Sequence, residues 1–148
     1  MFDKQTGKIG FELNNDYPGI KGMRIQVLDH LVLTVKDIAT TCEFYRRVLG
    51  FEVITFGDKR KSLKLGNQKI NLHQSGAEFQ PCARRPTVGS ADLCFIAETP
   101  IETLVERLLQ CGVSVEEGPV RRAGARGPIV SVYIRDPDGI LIELSNYL

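Results

Sequence analysis

The chain carries one order of elements twice, and that repeat constrains its fold more than any other feature. The first copy opens on Asp29-His30-Leu31-Val32-Leu33-Thr34-Val35, an alternating, β-rich strand. Asp37 is placed to cap a helix in which Ile38, Cys42, Tyr45 and Leu49 recur at helical spacing, and Gly50 stops it. Three strands follow, Phe51 to Phe56, Lys61 to Leu65 and Lys69 to Gln74. The second copy opens on a strand from Ala91 to Glu98. Thr99-Pro100 then starts a helix with Ile101, Leu104, Val105, Leu108 and Leu109 on one face, ended by Gly112. Strands at Val113 to Glu116, Ile129 to Ile134 and Ile140 to Leu144 complete it, with Asp136-Pro137-Asp138-Gly139 as the last turn. A β-α-β-β-β unit covers one face of its sheet with its own helix and leaves the other face open. Two units predict an α+β fold of paired βαβββ modules around a concave sheet. The modules span 25–74 and 90–148 of one domain, 23–148. The polar stretch 75–89, with Pro81 and Pro86, links them. Residues 1–22 lack periodicity and read as a poorly ordered extension.

The chain has two histidines, and both fall at strand positions that the repeat marks. His30 heads the first copy where Asp92 heads the second. His73 closes the first copy where the repeat, matched on Ile70-Asn71-Leu72-His73 and Ile140-Leu141-Ile142-Glu143, sets Glu143. Strand parity turns Ile140, Ile142 and Leu144 toward the helix and Glu143 to the opposite face, with Asn71 and His73 doing the same in the first copy. Imidazoles and carboxylates gathered in one cleft suit a divalent metal, whether Zn, Ni, Mn, Co or Fe. His30, His73 and Glu143 are the candidate ligands. Asp92 is either a fourth or an acceptor that orients a ligand or a water.

Charge is nearly balanced, with 19 basic and 18 acidic residues, which gives no footprint for nucleic acid or an anionic membrane. No apolar run is long enough to span a bilayer, and no secretory signal opens the chain. Cys42, Cys82, Cys94 and Cys111 include no C-x-x-C pair, so they read as reduced thiols of a cytoplasmic protein. Arg121, Arg122 and Arg126 stand in a Gly-rich stretch, 118–128, that reads as a loop. Such a loop is either solvated surface or a clamp for an anionic substrate. The triplet Lys59-Arg60-Lys61 falls at a hairpin turn and reads as solvated charge.

The segments DHLVLTVKD, EFYRRVLGFE and YIRDPDGILIEL, in this arrangement, resemble the vicinal oxygen chelate superfamily. That superfamily includes glyoxalase I, fosfomycin- and bleomycin-resistance proteins and extradiol dioxygenases, and the resemblance covers residues 25–148. Within it the runs GNQKINLHQ and CGVSVEEGPV are similar to the glyoxalase-domain-containing protein 5 group. The resemblance implies a divalent-metal enzyme acting on a small oxygen-rich substrate by lyase, isomerase or transferase chemistry through a stabilised enolate or alkoxide. It implies ligands at His30, His73, Asp92 and Glu143, and a carboxylate, Glu143 or Asp92, as catalytic base. It also implies a homodimer. Tyr133 matches a substrate-contacting tyrosine of fosfomycin-resistance proteins, with Arg122 as a second substrate contact. The order His, His, Asp, Glu departs from that of glyoxalase I, which has His or Gln, Glu, His, Glu. A metal-free binding protein of the bleomycin-resistance kind and a non-haem iron dioxygenase are the alternative functions.

Overall fold

A computed structural model describes residues 25–148, so the expectation of a poorly ordered arm at 1–22 lies outside the described residues. The first module runs β1 (His30–Val35), α1 (Ile38–Leu49), β2 (Glu52–Phe56), β3 (Arg60–Leu65) and β4 (Gln68–Gln74). The second runs β5 (Asp92–Ile96), α2 (Ile101–Gln110), β6 (Glu117–Gly124), β7 (Gly127–Arg135) and β8 (Leu141–Tyr147). Each module folds into a four-stranded mixed sheet, in the orders β1-β4-β3-β2 and β5-β8-β7-β6. The opening strand of each pairs in parallel with the closing one, and the remaining pairs are antiparallel. This is the paired βαβββ, α+β architecture that the repeat predicts. Among the described residues no helix is long and apolar enough to cross a membrane.

Local signals explain the helix ends. The Asp37 carboxylate accepts the Thr40 amide at 2.7 Å, and Gly50, at φ 72°, lets the Phe51 amide turn back to the Tyr45 carbonyl at 3.1 Å. One hydrophobic core serves both modules. Leu33, Val35, Leu63, Ile70 and Leu72 of the first sheet and Val132, Ile134, Ile142 and Leu144 of the second belong to it, with Tyr45, Val48, Ile101 and Leu108 of the helices. Burial at about 25 cal/mol per Å² of apolar surface makes this shared interior the main force holding the modules together. Phe51 meets Phe95 edge-on at 5.2 Å, and the buried Tyr45 hydroxyl donates to Asp136 at 3.3 Å. Asp136 also accepts the amides of Asp138 and Ile140 at 2.8 and 2.9 Å, which closes the Asp136–Gly139 turn. The Lys36 amide donates to Asp138 at 2.9 Å, tying the first module to that turn.

Two assignments in the second module differ from the sequence reading. Residues 113–116 are not a strand, and most of the expected basic loop at 118–128 is the edge strand β6 and the start of β7. Gly118 and Pro119 give this stretch the composition of a loop. They sit at a register shift between Glu117 and Val120, where an edge strand accommodates a proline. The loop proper shrinks to the hairpin between Gly124 and Gly127.

Candidate functional site

Strand parity gives each sheet a helix-facing side and a polar side. Both helix-facing sides contribute to the same core, and the polar side of each sheet lies opposite its core side. On the first sheet the register lays the polar side out in rows. His30 pairs with Lys69, which pairs with Lys64. Val32 pairs with Asn71, which pairs with Ser62. Thr34 pairs with His73, and continuing the register sets Arg60 against His73. On the second sheet Cys94, Glu143, Tyr133 and Glu117 form one row, and Ile96, Ser145, Ser131 and Val120 the next.

The candidate ligands occupy different parts of this layout. His30 is 45% exposed at the free edge of the first sheet, and its Nδ1 bonds Asp29 at 2.6 Å. That contact holds the ring and leaves Nε2 outward, the arrangement of an imidazole prepared to bind a metal. Glu143 lies one strand in from β5, where its Oε1 accepts Ser131 Oγ at 2.6 Å. Ser131 in turn shares a 2.8 Å hydrogen bond with Ser145. The Glu143 carboxylate also lies within hydrogen-bonding reach of the Tyr133 hydroxyl and the Cys94 thiol. Asp92 is exposed at the start of β5, and a cleft of about 560 Å³ between the β1 and β5 edges is lined by both His30 and Asp92. Glu143 is not part of that lining. No three metal-binding side chains converge among the described residues.

His73 stands apart from these. It lies beside Thr34, four residues along β1 from His30, a separation of about 13 Å at the rise of a strand. The two histidines of one chain therefore do not reach one ion. The expectation that His73 holds the position of Glu143 is not met either. With His30 matched to Asp92, the pairings His30–Lys69 and Asp92–Leu141 make Asn71 the counterpart of Glu143 and His73 the counterpart of Ser145. His73 is 3% exposed, under Phe79 of the connecting segment, with ring centroids 5.8 Å apart. Burial, reinforced by the nearby Arg60 charge, holds its pKa below the ordinary value and keeps the ring neutral.

Tyr133 and Arg122 come together beside Glu143. Tyr133 pairs directly with Glu143, and its hydroxyl accepts Arg122 Nε at 3.0 Å. Arg122 Nη2 reaches Glu117 at 2.7 Å. Burial pushes the tyrosine hydroxyl up, so it stays protonated and able to donate. Sequence reasoning did not single out Ser131, Ser145, Ser62, Asn71 or Arg60. Ser131 and Ser145 are small polar residues on largely apolar strands, and that mismatch was the available signal.

The model of the Glyoxalase/Bleomycin resistance protein/Dioxygenase superfamily matches residues 27–144. The virulence protein STM3117 of Salmonella typhimurium is 61% identical over 126 residues, covering 85% of this chain and 88% of the relative. Its crystal structure superimposes with a TM-score of 0.84 over 85% of this chain and 100% of its own. The glyoxalase domain-containing protein RDO1 of Mycosarcoma maydis is 52% identical, over 84% of this chain and 70% of the relative. The crystal structure of a lactoylglutathione lyase from Agrobacterium tumefaciens is 26% identical with a TM-score of 0.65, over 83% of this chain and 95% of its own.

Proposed function

Because the chain belongs to the glyoxalase/bleomycin resistance protein/dioxygenase superfamily, we propose that it is a metal-dependent enzyme of the glyoxalase and fosfomycin-resistance type, acting on a small oxygen-rich molecule. The observation that carries this reading is the state of His30 and Glu143. Each is oriented by a neighbouring side chain, His30 by Asp29 and Glu143 by Ser131, as the supporting partners of metal ligands are. A donor set of imidazole and carboxylate suits Zn, Ni, Mn, Co or Fe. The likeness to a lactoylglutathione lyase supports the same class.

No three candidate ligands converge among the described residues of one chain, so in this reading the complete site takes a second copy. His30 from one subunit would join Glu143 from its partner in a homodimer with two equivalent sites, and Asp92, which lines one cleft with His30 of its own chain, would complete the set from either subunit. The edge strands β1 and β5 end the two sheets, and Val27, Leu28, Val32 and Ile96 leave apolar surface exposed on or beside them. Unpaired strand edges with exposed apolar residues favour such pairing. His73, about 13 Å from His30 along the sheet, stands outside this proposed metal set.

A divalent ion held by His30, Glu143 and Asp92 would supply Lewis-acid stabilisation of negative charge developing on a substrate oxygen. Around it, Glu143 or Asp92 accepts the substrate proton, and Ser131 keeps the Glu143 carboxylate in place. Tyr133 donates a hydrogen bond to a substrate oxygen, with Arg122 orienting its hydroxyl.

Metal analysis of the purified protein before and after dialysis against EDTA tests the proposal. The protein is expected to hold one divalent ion per chain. His30→Ala and Glu143→Ala are each expected to weaken the ion's binding about 100-fold, and Asp92→Ala less. His73→Ala is expected to leave metal occupancy unchanged. A wild-type protein that binds no divalent ion would make it a binding protein of the bleomycin-resistance kind and overturn the metal-dependent reading.

A further inference from the structure

The polar side of the first sheet holds a cluster of side chains that the metal reading does not use. Ser62 is fully buried and Asn71 is 5% exposed, and the two are directly paired across β3 and β4. Ser62 Oγ, Asn71 Oδ1 and Arg60 Nε are all buried and without a hydrogen-bond partner among the described residues. Buried polar atoms are normally satisfied, so three adjacent orphans on one face imply something that completes them. Which atom of the Asn71 amide points inward depends on that partner, because its oxygen and nitrogen can exchange places.

The charge around the cluster says what the partner is. Arg60, at the head of β3, lies against two aromatic rings, 4.9 Å from the centre of Phe56 and 4.5 Å from that of Phe79. The Lys69 ammonium reaches the same Phe56 ring at 4.3 Å. Two cations therefore meet at the Phe56 ring, on the face of the sheet that carries Ser62 and Asn71. Among the described residues neither Arg60 nor Lys69 forms an ion pair, whereas Lys64, two residues along β3 from Ser62, is paired with Glu52. Glu78, the carboxylate near His73, accepts the Gly76 amide instead. A guanidinium stacked between rings is held in orientation, and its Nε–H beside a serine hydroxyl and an amide makes a receptor for a planar or tetrahedral oxyanion.

We propose that Arg60, Ser62, Asn71 and Lys69 bind an oxyanion group of the substrate, a carboxylate or a phosphate. The inference rests on the proposed function only in placing this group on the substrate. The receptor itself requires no metal. Ser62 lies two strands across from β1 and one row along from His30, about 12 Å over the sheet surface. The substrate would then have two ends, oxygens at the His30 edge and an anionic group several bonds away. Lys59-Arg60-Lys61 is accordingly not a run of solvated charge, because Arg60 turns onto the binding face.

The test is titration of metal-stripped wild-type protein with acetate and with inorganic phosphate up to about 50 mM, followed by calorimetry and by the side-chain N–H resonances of Asn71 and Arg60. Saturable binding with shifts at both side chains is expected, and the tighter of the two anions identifies the group. Arg60→Gln is expected to weaken binding about tenfold or more. Ser62→Ala is expected to weaken it while keeping or raising the melting temperature, since it removes an unpartnered buried hydroxyl. The Ser62→Ala result separates lost binding from lost folding. His30→Ala is expected to bind the anion as wild type does, so a failed metal reading leaves this result standing. No saturable binding of either anion, or unchanged affinity in Arg60→Gln, would overturn the proposal.

Discussion

A mixed dimer of two inactive chains should recover activity that neither homodimer has. No three candidate ligands converge among the described residues of one chain, and Glu143 does not line the cleft that His30 and Asp92 share. If each site takes His30 from one subunit and Glu143 from the other, His30→Ala and Glu143→Ala homodimers each lose both sites. In a heterodimer of the two, one site collects both substitutions and the other is assembled wholly from wild-type residues. Equal co-expression gives about half heterodimer, each with one intact site of two, so about a quarter of the wild-type metal-binding sites should return. Two affinity tags allow the heterodimer to be isolated, where the expected value is about half. Metal stoichiometry by mass spectrometry is the readout and needs no knowledge of the substrate. A heterodimer with no bound metal would place each site within one chain and refute the shared site. A monomer by sedimentation at micromolar concentration would remove its premise.

Two further predictions concern stability. Asp136→Ala strips the partner from two backbone amides and the buried Tyr45 hydroxyl, at about 1–3 kcal/mol for each orphaned group, so a loss of about 3–5 kcal/mol is expected in urea unfolding. Asp136→Asn should be far milder. Burial raises the Asp136 pKa, so its contribution is fully present below the unfolded carboxylate pKa and is lost as pH rises through the folded value. The Asn variant should therefore gain on wild type as pH rises from about 3 to about 7, and a constant difference would count against the raised pKa. For His73 the sign is opposite. Its pKa is lowered by burial first and then by Arg60, so its contribution is present above the unfolded histidine pKa and is lost as pH falls below it. His73→Gln should flatten the stability profile between about pH 7 and pH 5, and an unchanged profile would refute a buried neutral imidazole.

Much of this was readable from the residues alone. The repeated β-α-β-β-β order, the Asp37 and Gly50 helix ends and the split of each strand into a core side and a polar side are local properties. Capping needs a few residues of chain, and the alternation of a strand has a period of two. What the chain could not show by itself was register. A slip of two residues leaves every side chain on the same face, so alternation cannot tell Asn71 from His73 as the counterpart of Glu143. Only the pairing of β1 with β4 and β5 with β8 decides it. The same holds for β6, whose Gly118-Pro119 composition signals a loop until β7 supplies a partner. Arg60 reads as surface charge until Phe56, Phe79 and the buried Ser62–Asn71 pair close around it. Local sequence determined which face each residue takes. Tertiary structure decided which residues meet on that face, because strand pairing is set by contacts between segments far apart in the chain.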